Sequence, residues 1–213
     1  YFKRAQGHAL GANDYRGGDG PLKVERINSG NPLNIAFLEA ATQAGHARTR
    51  DVNGFQQEGV DWLDMTIHNG VRWNTALAYL HPVAERPNLT VLTGALTLAV
   101  QIEGSRATGV DYRHRGETRS ARASDEVILA AGAVASPQLL MLSGIGPAAH
   151  LTEHGIGVIA DLPGVGENLQ DHVELYVQHA CKEPVSLYAA LKPVAKLRNG
   201  LEWLLFKRGL CSS

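Results

Sequence analysis

Cysteine is scarce in this 213-residue sequence, which contains only Cys181 and Cys211. Two cysteines cannot build the dense disulfide framework of a small secreted protein, and these two lack the C-x-x-C spacing of common metal sites. We interpret both as ordinary thiols. Their rarity favours a reducing, cytoplasmic compartment.

An excess of either charge is also missing. Twenty basic residues stand against twenty-one acidic ones, which leaves a formal net charge of -1. The chain therefore has no strong field that would attract nucleic acid. No apolar run approaches the roughly 18 to 20 residues that span a bilayer, and no signal peptide opens the sequence. With 44% hydrophobic residues, the composition predicts a soluble globular chain.

Motifs for nucleotide, metal and nucleophile chemistry are incomplete. Three glycine-rich stretches, which begin at Gly144, Gly155 and Gly164, imitate the dinucleotide fingerprint G-x-G-x-x-G. None runs from a strand into a helix, as pyrophosphate binding requires, so we interpret them as turns. The nine histidines show no H-E-x-x-H spacing, and neither Ser136 nor Ser143 lies in a G-x-S-x-G elbow. The sequence thus predicts neither a metal site nor a hydrolytic triad.

Hydrophobic periodicity separates a helical beginning from an alternating middle. After an expected exposed loop over residues 7–31, residues 32–44 predict a helix with Asn31 as N-cap. A second helix is expected in residues 74–83, where Pro82 should end it near Leu80. Short β-prone runs then form a predicted meander. These runs are residues 89–93, 95–103, 107–113, 118–123 and 126–131.

The last of these runs, EVILAA, is continuously apolar after its first residue, which is typical of a strand buried on both faces of an α/β sheet. It leads into GAVASPQLLMLSGIG, residues 132–146. There Ser136 is a candidate N-cap and Pro137 a candidate first helical residue. Another short helix is expected in PAAHLTEHG, and VELYVQHAC alternates as a further strand would.

The stretch GAVASPQLLMLSGIG resembles the second signature of the glucose-methanol-choline (GMC) oxidoreductases. RPNLTVLTGALT, EVILAAGAVASP, LPGVGENLQDH and NDYRGGDGP resemble the same family, so the resemblance covers nearly the whole sequence. NLQDHVELYVQHACKEPVSLY is most similar to the bacterial choline-oxidising members. The resemblance implies an α/β fold: an incomplete doubly wound FAD-binding domain with an inserted β-meander over residues 1–170, then the start of an antiparallel-sheet substrate domain over 171–213.

FAD is the cofactor that the resemblance implies, and three positions are expected near it. Ala131 and Gly132 follow the apolar strand, and their lack of side-chain bulk permits close backbone approach. Thr97 is expected on the adenine side. In the complete family, a histidine removes the hydroxyl proton of the alcohol and the α-carbon transfers hydride to the flavin.

The substrate expectation rests on Glu174 and His172. By spacing alone, His172 is a hydrogen-bonded structural corner and Glu174 a solvent-facing strand residue. The resemblance instead places Glu174 against the trimethylammonium head of choline, with His172 as a polar wall of the pocket. A quaternary ammonium has no N–H to donate, so recognition depends on a carboxylate and aromatic faces. An uncharged alcohol or sugar is the alternative substrate, and a truncated non-catalytic product is the alternative of another class.

Essential parts of the family are expected outside this sequence. The resemblance puts the G-x-G-x-x-G unit before Tyr1 and the catalytic histidine beyond Ser213, so we expect an internal fragment that is inactive alone. The electron acceptor and any homo-oligomer are left open by the sequence. LEWLLF, followed by Lys207 and Arg208, is compatible with the edge of a buried helix or with peripheral attachment at the inner membrane.

Overall fold

The computed structural model describes residues 1–26 and 30–212. The chain forms two compact units, one made of residues 1–89 and 177–213 and the other of residues 90–176. Positions 27–29 of the predicted loop lie outside the described residues. The domain assignment made from the sequence, with its boundary after residue 170, stays a prediction.

The described residues of the first unit form five short strands. These are β1 (Gln6–His8), β2 (Leu22–Arg26), β3 (Asp64–Met65), β4 (Ile67–His68) and β5 (Val71–Arg72). Strand β2 pairs in parallel with β1 and antiparallel with β3, whereas β4 and β5 form a hairpin. The expected exposed loop over residues 7–31 is therefore wrong in part. Gly17 and Gly20 are buried there, and a Cβ on Gly17 would lie 1.8 Å from the carbonyl oxygen of Lys3.

The helix that the sequence predicts over residues 32–44 is present in this unit. The α-helices among its described residues are α1 (Phe2–Ala5), α2 (Pro32–Gln43) and α5 (Pro193–Phe206), and two 3-10 helices, Leu187–Leu191 and Leu210–Ser212, flank α5. Asn31 caps α2 as predicted, because its side chain accepts a 2.9 Å hydrogen bond from the Leu33 amide. The expected helix near residue 74 forms one π-helical turn (Ala76–Leu80) and continues as a 3-10 turn (His81–Val83). Pro82 therefore changes the helix type and does not end it at Leu80.

A chain of ion pairs links the strands of the first unit. His8 is buried, and its Nε2 lies 3.2 Å from Asp64 Oδ2 without hydrogen-bond geometry. Arg26 joins Asp64 through a 3.2 Å contact from Nε and joins Asp61 through a 3.2 Å contact from Nη1. Both carboxylates are more than nine-tenths buried. Arg26 compensates the negative charges of both carboxylates. In return, the carboxylates compensate the positive charge of Arg26, whose partial removal from water would be costly without them.

The second unit contains the meander predicted from the sequence. Strands β6 (Ala95–Glu103), β7 (Arg106–His114) and β8 (Glu117–Arg122) pair antiparallel in that order. The turn after β6 contains Gly104 at φ 62°, and the turn after β7 contains Arg115 and Gly116 at φ 53° and 85°. The strand expected at residues 89–93 is absent from the described structure. Its end instead forms a turn at Gly94, which has φ 66°.

Two helices and a parallel strand pair complete the second unit. They are α3 (Gly132–Leu142), β9 (Ile145–Gly146), α4 (Ala148–Glu153) and β10 (Ala160–Asp161). Helix α3 packs against β6. At the end of α3, the Ser143 hydroxyl donates a 2.6 Å hydrogen bond to the Leu139 carbonyl and accepts a 2.8 Å bond from the Val100 amide. This buried hydroxyl ties the helix to the central part of β6.

Candidate active-site segments

The apolar run EVILAA does not form the buried strand that the sequence predicts. Residues 126–130 pair with no strand among the described residues, and Ile128 is 78% exposed. The apolar composition of this run is still typical of a strand that lies inside a sheet, between two neighbouring strands. The prediction fails because the described chain provides no such neighbours on either side.

Helix α3 begins earlier than predicted, at Gly132 instead of after Ser136. Ala131 occupies the N-cap position, and its amide donates a 3.0 Å hydrogen bond to the Ser136 hydroxyl. Pro137 therefore lies inside the helix. The prediction that Ser136 and Pro137 start the helix is wrong, because Gly132 adopts φ 88° and redirects the chain five residues sooner than the Pro137 signal suggests.

The three residues expected near FAD lie on two elements that pack together. Ala131 and Gly132 are exposed at the start of α3, and a Cβ on Gly132 would meet no atom within 4 Å. Thr97 is exposed on β6, opposite Tyr112 and beside a β-bulge. The first amides of an α-helix have no partner within the helix, and Ala131 supplies no side-chain cap. This end of the second unit thus presents open backbone.

His172 and Glu174 lie in a separate segment, residues 167–181, which contains no helix or described strand. The strand predicted at VELYVQHAC is absent because no described strand pairs with it. Both residues are exposed. The His172 amide donates a 2.7 Å hydrogen bond to the Asp171 carboxylate, as a structural corner would.

Tyr176, which no sequence motif indicates, contacts Glu174. The phenol hydroxyl of Tyr176 donates a hydrogen bond to Glu174 Oε2. This bond raises the pKa of Tyr176 above its ordinary value of 10.0, because ionising the phenol would remove the donor and place a second negative charge beside the carboxylate. Side chains two residues apart share one face of an extended chain. The spacing of Glu174 and Tyr176 in VELYV is therefore the sequence feature from which this contact could be predicted.

The family model of the GMC oxidoreductases matches residues 1–174. The chain belongs to the GMC oxidoreductase family. This match confirms the family that GAVASPQLLMLSGIG predicts.

Two curated relatives of this GMC chain have closely related sequences. It is 57% identical to the mitochondrial choline dehydrogenase of Homo sapiens over 204 residues, which cover 96% of the chain and 34% of the human protein. It is 50% identical to oxygen-dependent choline dehydrogenase 1 of Chromohalobacter salexigens, covering 100% of the chain and 38% of that protein. The chain thus spans little more than a third of the length of these relatives, and the resemblance to choline-oxidising members is confirmed.

A solved structure supports the fold. The chain is similar to the FAD-dependent oxidoreductase of Chaetomium thermophilum, with a TM-score of 0.83, 28% identity, full coverage of this chain and 40% coverage of the other. This likeness confirms the predicted α/β class of the flavin-binding GMC enzymes. Among the helices of residues 1–26 and 30–212, none has the length and apolarity to cross a membrane.

Proposed function

We propose that this GMC chain is part of an FAD-dependent choline dehydrogenase that oxidises choline to betaine aldehyde. The observation that carries the proposal is Glu174, an exposed carboxylate in a segment that resembles the choline-oxidising members, together with 50% and 57% identity to two choline dehydrogenases. The test is to purify the full-length protein and measure its FAD content and its dye-linked oxidation of choline.

The residues at the start of α3 fit the flavin. The run from Ala130 to Ala133 has no side chain larger than a methyl group, and Gly132 leaves open space where a Cβ would lie. A ring system or a phosphate could therefore approach the backbone closely, and the first amides of the helix, which have no partner within it, favour electronegative groups. Ala131, Gly132 and Thr97 would hold the cofactor. Bound FAD would supply the hydride acceptor for alcohol oxidation.

Glu174 accounts for selectivity toward a charged alcohol. Its carboxylate would attract the quaternary ammonium of choline by charge, since that group offers no N–H donor. The attraction would hold the substrate by the end opposite its reacting hydroxyl. His172 would form a polar wall of the same pocket. A neutral alcohol gains nothing from this carboxylate, which argues against an uncharged alcohol or sugar as the main substrate.

The surface of the chain supports the view that these residues work only as part of a larger protein. The accessible surface is 16314 Å², whereas a folded monomer of 22.9 kDa exposes roughly 9,600 Å². Apolar side chains contribute to this excess, including Val173 at 101% and Leu175 at 88% exposure. Burying such side chains is a main driving force of folding. We propose that the remainder of the full-length enzyme covers them and that the 213 residues alone are inactive.

Peripheral membrane attachment through α5 is a second, separate proposal. The outward face of the helix is an apolar stripe at helical spacing, made of Val194, Leu197, Leu201, Leu204 and Leu205, which are 48% to 82% exposed. Five basic residues flank or interrupt this stripe, against the single acidic residue Glu202. They are Lys192, Lys196, Arg198, Lys207 and Arg208. An apolar stripe with basic flanks suits the surface of an anionic bilayer.

A further inference from the structure

The carboxylate of Glu174 has a hydrogen-bond partner within its own segment. Tyr176 Oη donates a hydrogen bond to Oε2, and the other carboxylate oxygen, Oε1, has no hydrogen-bond partner in the part of the chain that the structure describes. The tyrosine therefore restrains one oxygen and leaves the other available. Both side chains are exposed, so the pair is accessible from outside this segment.

Resting on the proposed function, we propose that Tyr176 is a positioning and specificity residue for the quaternary ammonium of the substrate. Its hydroxyl orients the Glu174 carboxylate, and its exposed ring lies close enough to that carboxylate for one cation to contact both groups. The pair thus combines a fixed negative charge with a polarisable face, the two groups that recognise a cation without N–H donors. A tyrosine supplies both the donor and the ring, whereas phenylalanine supplies only the ring.

The same hydrogen bond also raises the pKa of Tyr176. Because the pair favours the neutral phenol, its stabilising contribution is present below pH 10.0 and is lost as the pH rises through the raised pKa. Glu174→Gln removes the neighbouring charge, so it should return the titration of Tyr176 toward its ordinary value. This effect does not require catalysis.

The experiment compares four variants of the full-length holoenzyme with the wild type: three tyrosine variants and Glu174→Gln. Tyr176→Phe removes the hydroxyl, Tyr176→Leu removes the hydroxyl and the ring, and Tyr188→Phe removes a hydroxyl from a control tyrosine of matched exposure, 74% against 76% for Tyr176. Each is assayed with choline and with its neutral isostere, in which carbon replaces the quaternary nitrogen. Tyrosinate absorbance is titrated in the wild type, in Tyr176→Phe and in Glu174→Gln.

We expect Tyr176→Phe to lower kcat/KM for choline about tenfold, the size of one hydrogen bond to a charged group, mainly through KM. Tyr176→Leu should lower kcat/KM for choline further. The value for the neutral isostere should change little in either Tyr176 variant, and Tyr188→Phe should change little with either substrate. The high-pH tyrosine titration should disappear in Tyr176→Phe and shift to lower pH in Glu174→Gln. A choline-active wild type in which Tyr176→Phe behaves like Tyr188→Phe would overturn the role of Tyr176 alone. A flavin-loaded wild type inactive on choline would overturn the proposed function and this inference with it.

Discussion

Trp203 donates a 2.7 Å hydrogen bond from its indole Nε1 to the carbonyl oxygen of Gly70, which lies 133 positions earlier in the chain. Gly70 is in the turn of the β4–β5 hairpin, and Trp203 is on the inward side of α5. The Lys207 ammonium lies 3.8 Å from the centre of the Trp203 ring. This contact holds α5 against a hairpin from the first half of the same unit.

Replacing Gly70 should weaken that contact more than replacing another glycine of the same backbone conformation. Gly70 and Gly155 both have φ 69°, but a Cβ on Gly70 would lie 1.8 Å from the Lys207 carbonyl oxygen, whereas one on Gly155 would meet nothing within 4 Å. Gly155→Ala should cost only the backbone strain, about 1 kcal/mol. Gly70→Ala should cost at least about 1 kcal/mol more, because the backbone must shift. Equal losses of unfolding free energy in the full-length protein would show that the Gly70 contact is not tight.

The buried carboxylate of Asp64 should matter far more than an exposed one. Asp64→Asn removes the buried carboxylate that Arg26 and His8 share, while Arg26 keeps its contact with Asp61, so the change should cost about 2 kcal/mol. The control is Glu117→Gln, because Glu117 pairs with Arg119 at 69% and 51% side-chain exposure. Exposed pairs contribute about 1 kcal/mol or less. Chemical denaturation of the full-length protein measures both, and a loss for Asp64→Asn no larger than for Glu117→Gln would contradict the buried network.

Some of this fold follows from local sequence signals, and some does not. The Asn31 cap and the Gly104 turn are visible in the sequence because each depends on neighbouring residues alone. The run EVILAA and the alternation in VELYV are correct strand patterns, yet neither forms a strand because strands require partners supplied by distant chain. The start of α3 was missed because Ser136 and Pro137 give a strong local signal that the conformation of Gly132 overrides.

The candidate site, like the fold, is only partly predictable from the sequence. The sequence motifs indicated Glu174, but the role of Tyr176 required the side-chain hydrogen bond between them. Ala131 and Gly132 were selected for their small size, and the structure adds that they form the exposed start of a helix that packs on the strand of Thr97. Neither the spacing nor the composition predicts that packing.

The apolar stripe of α5 should bind anionic membranes if the membrane proposal is correct. The full-length protein should co-sediment with vesicles that contain anionic lipid, and less with neutral ones or at high salt. Leu197→Asp combined with Leu204→Asp should reduce this binding at least about tenfold, because both side chains would lose their contact with lipid. Leu92→Asp is the control, since Leu92 is exposed outside the helix. Unchanged binding in the double variant would assign the stripe to contacts with other parts of the protein.

The most direct test of choline oxidation and of the role of Glu174 is the anaerobic reduction of enzyme-bound flavin by choline in the full-length protein. We predict that choline bleaches the visible absorbance of the flavin within a single turnover, and that the neutral isostere does so far more slowly at equal concentration. Glu174→Gln should remove most of this preference, whereas Glu167→Gln, a change at another exposed acid, should preserve it. A flavin-loaded enzyme that choline leaves oxidised, or an unchanged preference in Glu174→Gln, would contradict the account.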